Sequence, residues 1–231
     1  MEQFKELSEY LGTSVEDCEK KFSEININEI WKTRRNVVQF YKSTDFYLYD
    51  LTNFENSTCK EEYQREIENF IRKYNCKTAM DYGCGIGSEV IKLLECGMDE
   101  VTAVDIEGPH IDYMRWRLKK RGFEDRVKFI TISEETELPT VNLPLVDVCI
   151  CIAVLEHIER AKEALHLIAE KSRYLVLRVD PSNPNNAHPM HIEKNFGWMT
   201  LLDRRDPATL KEFGLKRINN TDPVIFETGA R

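Results

Sequence analysis

Residues 78–87 read Thr78-Ala79-Met80-Asp81-Tyr82-Gly83-Cys84-Gly85-Ile86-Gly87, and their change of character along ten positions decides the fold. A short apolar run ends in Asp81, and three glycines follow at alternate positions. Helical spacing then resumes, with Ile86, Val90, Leu93 and Leu94 on one face before Gly97 stops it. The pattern predicts a strand, a tight turn and a helix start. Without Cβ atoms the turn can take positive φ, and a ligand can lie directly on its backbone. The spacing is Gly-x-Gly-x-Gly, with Ser88 where the dinucleotide fingerprint Gly-x-Gly-x-x-Gly has its third glycine. A carboxylate at Asp81 can hold a cationic amine or order the turn through backbone N–H groups.

The run Val101-Thr102-Ala103-Val104-Asp105 is a buried-strand pattern ending in a second carboxylate. It lies about the ~20 residues beyond the glycines at which a ribose-binding acid is expected. On these residues the chain resembles the class I S-adenosylmethionine (SAM)-dependent methyltransferases. Asp81, Gly83, Gly85 and Gly87 match that family's first motif, and Asp105 matches its ribose-binding acid. The segment Val146 to His157, ending Leu155-Glu156-His157, resembles the fourth strand and following loop of the small-molecule branch. The resemblance covers roughly residues 60 to 231. It implies SAM as cofactor, with S-adenosylhomocysteine as product. Asp81, Gly83, Cys84, Gly85 and Gly87 would hold the donor's amino-acid end, and Asp105 its ribose. Ile106 would pack on one adenine face, with Ile132 and Ser133 opposite, and Cys151 and Ile152 would complete the donor site.

The remaining core alternates strands and helices, which predicts a mainly parallel sheet with helices on both faces, an α/β Rossmann-like architecture. Strands are expected at 78–82, 101–106, 127–132, 146–152 and 174–179. A helix is expected over 111–120, and another with Ile158, Ala161, Leu165 and Ile168 on one face. Runs at 215–218 and 224–228 flank a turn and predict a terminal hairpin. The resemblance implies seven strands, the last antiparallel beside the fifth. An amphipathic helix carrying Tyr63, Ile67, Phe70 and Ile71 precedes strand one. The expected organisation is an N-terminal helical cap over residues 1–58 and a SAM-binding domain over 59–231. In the cap, Thr13-Ser14-Val15-Glu16 reads as a capping box between two short helices, and a third helix is expected over 28–42. Tyr41, Tyr47 and Tyr49, in an aromatic-dense stretch, either face substrate or anchor the extension.

Charged residues make up 31% of the 231, apolar ones 42%, and the net charge is −8. That balance suits a water-exposed globular enzyme and disfavours a nucleic-acid partner, whose phosphates such a surface repels. The basic run Arg115 to Arg121 reads as the wet face of its helix. No apolar run approaches the ~20 residues a membrane span needs, so no membrane partner is expected. Seven cysteines lack any Cys-x-x-Cys pair, which predicts reduced thiols and a cytoplasmic setting. The oligomeric state stays open, a homodimer included.

For catalysis, three stretches reach the carboxyl ends of the strands: 151–157, 180–198 and the aromatic cap. His191 is the first candidate to take an acceptor's proton and His157 the second. Glu156 and His188 are candidate substrate contacts. His188, His191 and Glu193 form a sparse donor set without a third histidine or nearby cysteine, and no metal is expected there. His110 is expected in a loop and His166 on a solvated helix face. No Asn/Asp-Pro-Pro-aromatic turn follows strand four and no Pro-Cys dipeptide occurs. These absences point to a small-molecule acceptor: a metabolite, cofactor precursor or natural product. A peptide or protein acceptor, a SAM-binding regulatory or scaffold protein and a nicotinamide oxidoreductase are the alternatives.

Overall fold

The computed structural model describes residues 3–34, 36–132, 142–180 and 189–230. Its centre is a sheet of β1 (Thr78–Tyr82), β2 (Glu100–Ile106), β3 (Val127–Ile132), β4 (Val146–Ile152), β5 (Ser172–Arg178), β6 (Lys216–Arg217) and β7 (Val224–Glu227). The order is β3-β2-β1-β4-β5-β7-β6. The first five strands pair in parallel. β7 runs antiparallel to both β5 and β6, as the resemblance implies.

Strand periodicity explains why the sheet is covered on both sides. Met80, Tyr82, Cys149, Cys151, Leu175 and Leu177 point to one face, while Ala79, Val148, Ile150, Tyr174 and Val176 point to the other. The first face packs on α9 (Ala161–Lys171) through Ala164, Leu165 and Ile168. The second packs on α6 (Thr58–Tyr74), α7 (Ser88–Glu95) and α8 (Pro109–Arg121). Cys149 and Cys151 are buried free thiols, part of the core. Ile158 packs on this core but lies before α9 begins, so the expected helix starts three residues later.

The N-terminal region is helical: α1 (Lys5–Leu11), α2 (Val15–Glu24), α3 (Ile27–Arg34), α4 (Val37–Ser43) and α5 (Phe46–Glu55). Two details differ from expectation. The N-cap of α2 is Ser14, whose Oγ accepts the Asp17 N–H at 3.0 Å, one residue after Thr13, which opens the predicted box. The helix expected over 28–42 is two helices, because Asn36 takes an extended conformation and its Oδ1 accepts the Gln39 N–H at 3.0 Å. An asparagine side chain competes for backbone donors, so it favours capping over helix interior.

Two aromatic clusters dock these helices. Phe4, Leu7, Leu48 and Tyr49 pack on Ile86 and Tyr113; Phe40, Phe46 and Tyr47 pack on Met190. Arg117, expected on the wet face of α8, instead turns inward and is 3% exposed. It donates to Glu6 of α1 (2.9 Å), Glu55 of α5 (2.7 Å) and the Ile86 carbonyl (2.9 Å). Two carboxylates and a carbonyl make an inward guanidinium more favourable than a solvated one. Chain end to end, α10 (Phe196–Asp203) and α11 (Pro207–Glu212) link β5 to the hairpin. No helix among the described residues is long and apolar enough to cross a membrane.

Candidate active site

Strand order reverses between β1 and β4, and a crevice opens beyond the carboxyl ends of strands at such a switch point. A cavity of about 880 Å³ occupies it. The glycine turn after β1 forms one wall. There Gly83 and Gly85 have φ of +84° and +52°, values a side chain would strain. The turn hangs from β2: the Gly83 N–H donates to the Val104 carbonyl (2.7 Å), and the Gly85 N–H donates to Asp105 Oδ2 (2.7 Å). Asp105 Oδ1 accepts its neighbour's Ile106 N–H at 2.7 Å. Asp105 thus shapes the turn that it faces.

Beneath the turn lies a charged cluster that the sequence did not reveal. Asp81 is 3% exposed, and its Oδ2 has no hydrogen-bond partner. Burial foremost, and then the negative charge of Glu89, hold its carboxyl well above the usual carboxylate range, while Lys60 pulls the other way. Lys60, from α6, reaches in to pair with Glu89 of α7. All three line the cavity.

The opposite wall follows β4. Ala153 turns with φ +55°, and a short 3₁₀ turn carries Leu155, Glu156 and His157. Glu156 is 2% exposed, and its carboxylate accepts the Asp180 N–H at 3.1 Å. Burial is the main cause that raises its pKa to about 7. His191 arrives from the segment after β5, and its ring stands 4.9 Å from that of His157, centroid to centroid. The segment is stitched down by the Ile192 N–H on the Glu156 carbonyl (2.9 Å) and by Asn195 Nδ2 on the Ile158 carbonyl (2.8 Å). Trp31, Tyr41 and Tyr47 from the N-terminal helices line the same cavity. The Tyr41 and Tyr47 rings stack at 4.6 Å, 3° apart, and burial raises the pKa of both phenols, so they are neutral donors.

Of the residues expected at the donor, Asp81, Gly83, Cys84, Gly85, Asp105, Ile106, Ile132 and Ile152 line the cavity. Gly87 does not; it caps α7. Cys151 points into the sheet core, because its neighbour Ile152 takes the cavity-facing position in the alternation. Ser133 and His188 lie outside the described residues. Of the substrate candidates, Glu156, Tyr41 and Tyr47 line the cavity, whereas Tyr49 is turned away against Phe4 and Leu7, with Lys21 over its ring. His110 is not in a loop: it sits in the first turn of α8, 2% exposed, its Nε2 3.4 Å from Asp105 Oδ1. A Gly108-Pro109 pair before it is the helix-start signal that could have placed it. His166 is exposed, as expected.

A family model described as a methyltransferase domain matches residues 74–199, more than half of the chain. Solved structures share the fold at low identity. The methyltransferase domain of bacterial CtHen1 is 16% identical, covering 72% of this chain and 97% of that one with a TM-score of 0.51. A Staphylococcus aureus protein assigned as a caffeoyl-CoA O-methyltransferase is 18% identical over 78% and 97%, with a TM-score of 0.52. A Pyrococcus horikoshii protein assigned as an RNA methyltransferase is 15% identical over 71% and 70%, at 0.50. No curated protein matches the sequence significantly. With strand order, glycine turn and the acid near the end of β2 in the arrangement its sequence motifs predict, and the family's domain matched across its core, the chain belongs to the class I SAM-dependent methyltransferases.

Proposed function

We propose that this enzyme transfers the methyl group of SAM to a small-molecule acceptor that loses a proton at the His157–His191 pair. The observation carrying the proposal is that both imidazoles share one cavity with the glycine turn and Asp105. At about 880 Å³ the cavity lies at the upper end of the ~300–1,000 Å³ usual for ligand sites, which suits two small molecules side by side.

The residues present fit the donor. Asp81 offers a buried carboxylate oxygen without a partner to an ammonium group. The Gly83–Gly85 backbone is open to an extended chain, and Asp105 stands where two ribose hydroxyls can donate to it. Ile106 and Ile132 offer apolar surface to a purine. When bound, the donor supplies a methyl group already activated on a sulfonium.

The protein's part is to align, to exclude water and to manage a proton. The Tyr41–Tyr47 stack and Trp31 cover the cavity with apolar faces, and the neutral hydroxyls can orient an acceptor. An acceptor between this stack and His191 would point its nucleophile across to the glycine turn. The net charge of −8 and an aromatic wall support a small, uncharged or cationic acceptor over a nucleic acid.

His191→Asn is the test. Against a panel of hydroxyl, amine and thiol acceptors, turnover should fall about 10²-fold or more while affinity for S-adenosylhomocysteine is unchanged. Equal losses in donor binding and turnover would assign His191 to positioning the fold. No loss in either would remove it from the site.

A further inference from the structure

Two histidines and a carboxylate converge on one wall of the cavity from separate parts of the chain. Glu156 and His157 share the 3₁₀ turn after β4, and His191 comes from beyond β5. One ligand atom from each of the three lies within 4.8 Å of the other two. One backbone bond from the Ile192 N–H to the Glu156 carbonyl, and side-chain bonds from Asn195 to the Leu155 and Ile158 carbonyls, hold the two segments in register. Glu156 is 2% exposed; one carboxylate oxygen accepts the Asp180 N–H, and the other, Oε2, has no hydrogen-bond partner. Burying a carboxylate oxygen without a partner is costly.

We propose that Glu156, His157 and His191 hold a divalent cation at the acceptor end of the cavity. Two imidazole nitrogens and one carboxylate oxygen favour Mn²⁺, Fe²⁺ or Zn²⁺ over the all-oxygen cations Mg²⁺ and Ca²⁺. Three protein ligands leave coordination positions open, the arrangement of catalytic rather than structural metal sites. Ligand atoms around a zinc-sized ion stand roughly 3–4 Å apart, so loading draws the three side chains together slightly. Among the described residues the converging set is Glu156, His157 and His191, of which only His191 belongs to the sparse set that sits close in sequence. The fold supplies the converging set by bringing Glu156 and His157 to His191.

The site deepens the proposed function and rests on its placing of the acceptor at the histidine pair. It selects an acceptor with a hydroxyl group, since an oxygen can enter an open position and be acidified by the ion. The acceptor's O–H proton passes to water. The oxygen's electron pair forms the new O–CH₃ bond while the C–S bond breaks with its pair onto sulfur, leaving a neutral thioether. One proton is released per methyl transferred. The histidines then act as ligands, and their contribution to proton loss is made through the ion.

Protein freed of metal by chelation should be titrated calorimetrically with MnCl₂, ZnCl₂ and MgCl₂. S-adenosylhomocysteine binding and circular dichroism, measured on the same samples, establish that each variant is folded. We expect one Mn²⁺ or Zn²⁺ per chain, weaker Mg²⁺, and at least a tenfold loss of Mn²⁺ affinity in both Glu156→Gln and His157→Asn with donor binding retained. For bound Mn²⁺, the electron paramagnetic resonance spectrum should change on loading and revert in Glu156→Gln. Absence of Mn²⁺ and Zn²⁺ binding in the wild type, or equal binding in folded variants, overturns the cation site. Turnover by the chelated enzyme that His191→Asn still abolishes would also overturn it, leaving the acceptor assignment intact. Metal binding that depends on these residues, with no methyl transfer to any hydroxyl acceptor, would sustain the site and sink the acceptor assignment.

Discussion

Asp105 is engaged before any ligand arrives, since its two oxygens hold the Gly85 and Ile106 N–H groups. Its removal therefore loosens the turn as well as deleting the proposed ribose contact. Asp105→Ala should cost ~1.5–3 kcal/mol of S-adenosylhomocysteine binding, roughly tenfold to a hundredfold in affinity. Asp105→Asn should recover part of this, because an amide oxygen still accepts one N–H. Calorimetry measures both, and an alanine variant binding as tightly as wild type would overturn the ribose role. Asp81 governs a pH effect. Burial and Glu89 raise its folded-state pKa above the ordinary 3.8. Above pH ~4 the unfolded chain has lost that proton while the native state keeps it, so stability falls as pH rises towards the folded pKa. The melting temperature of the ligand-free protein should therefore decline with pH more steeply in wild type than in Asp81→Asn, whose side chain does not titrate. Parallel profiles would mean that Asp81 is already ionised in the fold.

At the scale of elements, the β1 turn separates a fold requirement from a binding requirement within three residues. A Cβ on Gly83 would stand 2.2 Å from a Val154 methyl in the turn after β4, at φ +84°. A Cβ on Gly85 would meet only the far end of Leu51, at 2.8 Å. Gly83→Ala should thus destabilise the sheet domain by about 1–3 kcal/mol, from strain and overpacking together. Gly85→Val should carry the strain of a β-branched residue at φ +52° without a clash on Val154, and should abolish donor binding in protein that still folds, because its side chain fills the face along which the donor's amino-acid end would lie. Chemical denaturation should find both variants destabilised, and S-adenosylhomocysteine titration of folded protein should find binding lost in Gly85→Val. The strands themselves were legible in the sequence almost to the residue, as in 127–132 and 146–152. Their alternation writes both buried faces into consecutive letters. Asn36 was harder to read: the apolar spacing runs through it, and only its side chain's bond to the Gln39 N–H ends one helix and starts another.

For the molecule as a whole, Arg117 is the most buried ionic link between the N-terminal helices and the sheet domain. Its guanidinium joins α1, α5 and the glycine turn at Ile86. Arg117→Met would leave Glu55 without its cation, while Glu6 keeps the bidentate Arg121 at 2.6 and 3.0 Å. Breaking a buried ion pair on one side costs ~3–5 kcal/mol, and because both acids are partly exposed the loss should be about 3 kcal/mol at most. Urea denaturation measures it. Limited proteolysis should cut first within residues 5–55, since that segment would lose its buried cation and keep only two aromatic clusters and the more exposed Arg121–Glu6 and Lys120–Glu9 pairs. Cleavage in the sheet domain at the same rate would show the N-terminal helices to be held independently of Arg117.

The sequence by itself determined the elements, the family and the turn and acid proposed for the donor end of the site. Strand, glycine turn, helix and the acid ending the next strand all lie within about thirty letters, and each carries a local physical signature. It could not say that Arg117 turns inward, that His110 packs beside Asp105, that Tyr49 faces away from the cavity, or that His191 meets Glu156 and His157. Periodicity reports which residues share a face with near neighbours in the chain. It carries no record of which distant face will be opposite. Those partners were chosen by the sheet order and by the burial of the N-terminal helices. There a charge or ring settles wherever opposite charge, open volume and exclusion of water coincide, and that coincidence exists only in the folded molecule.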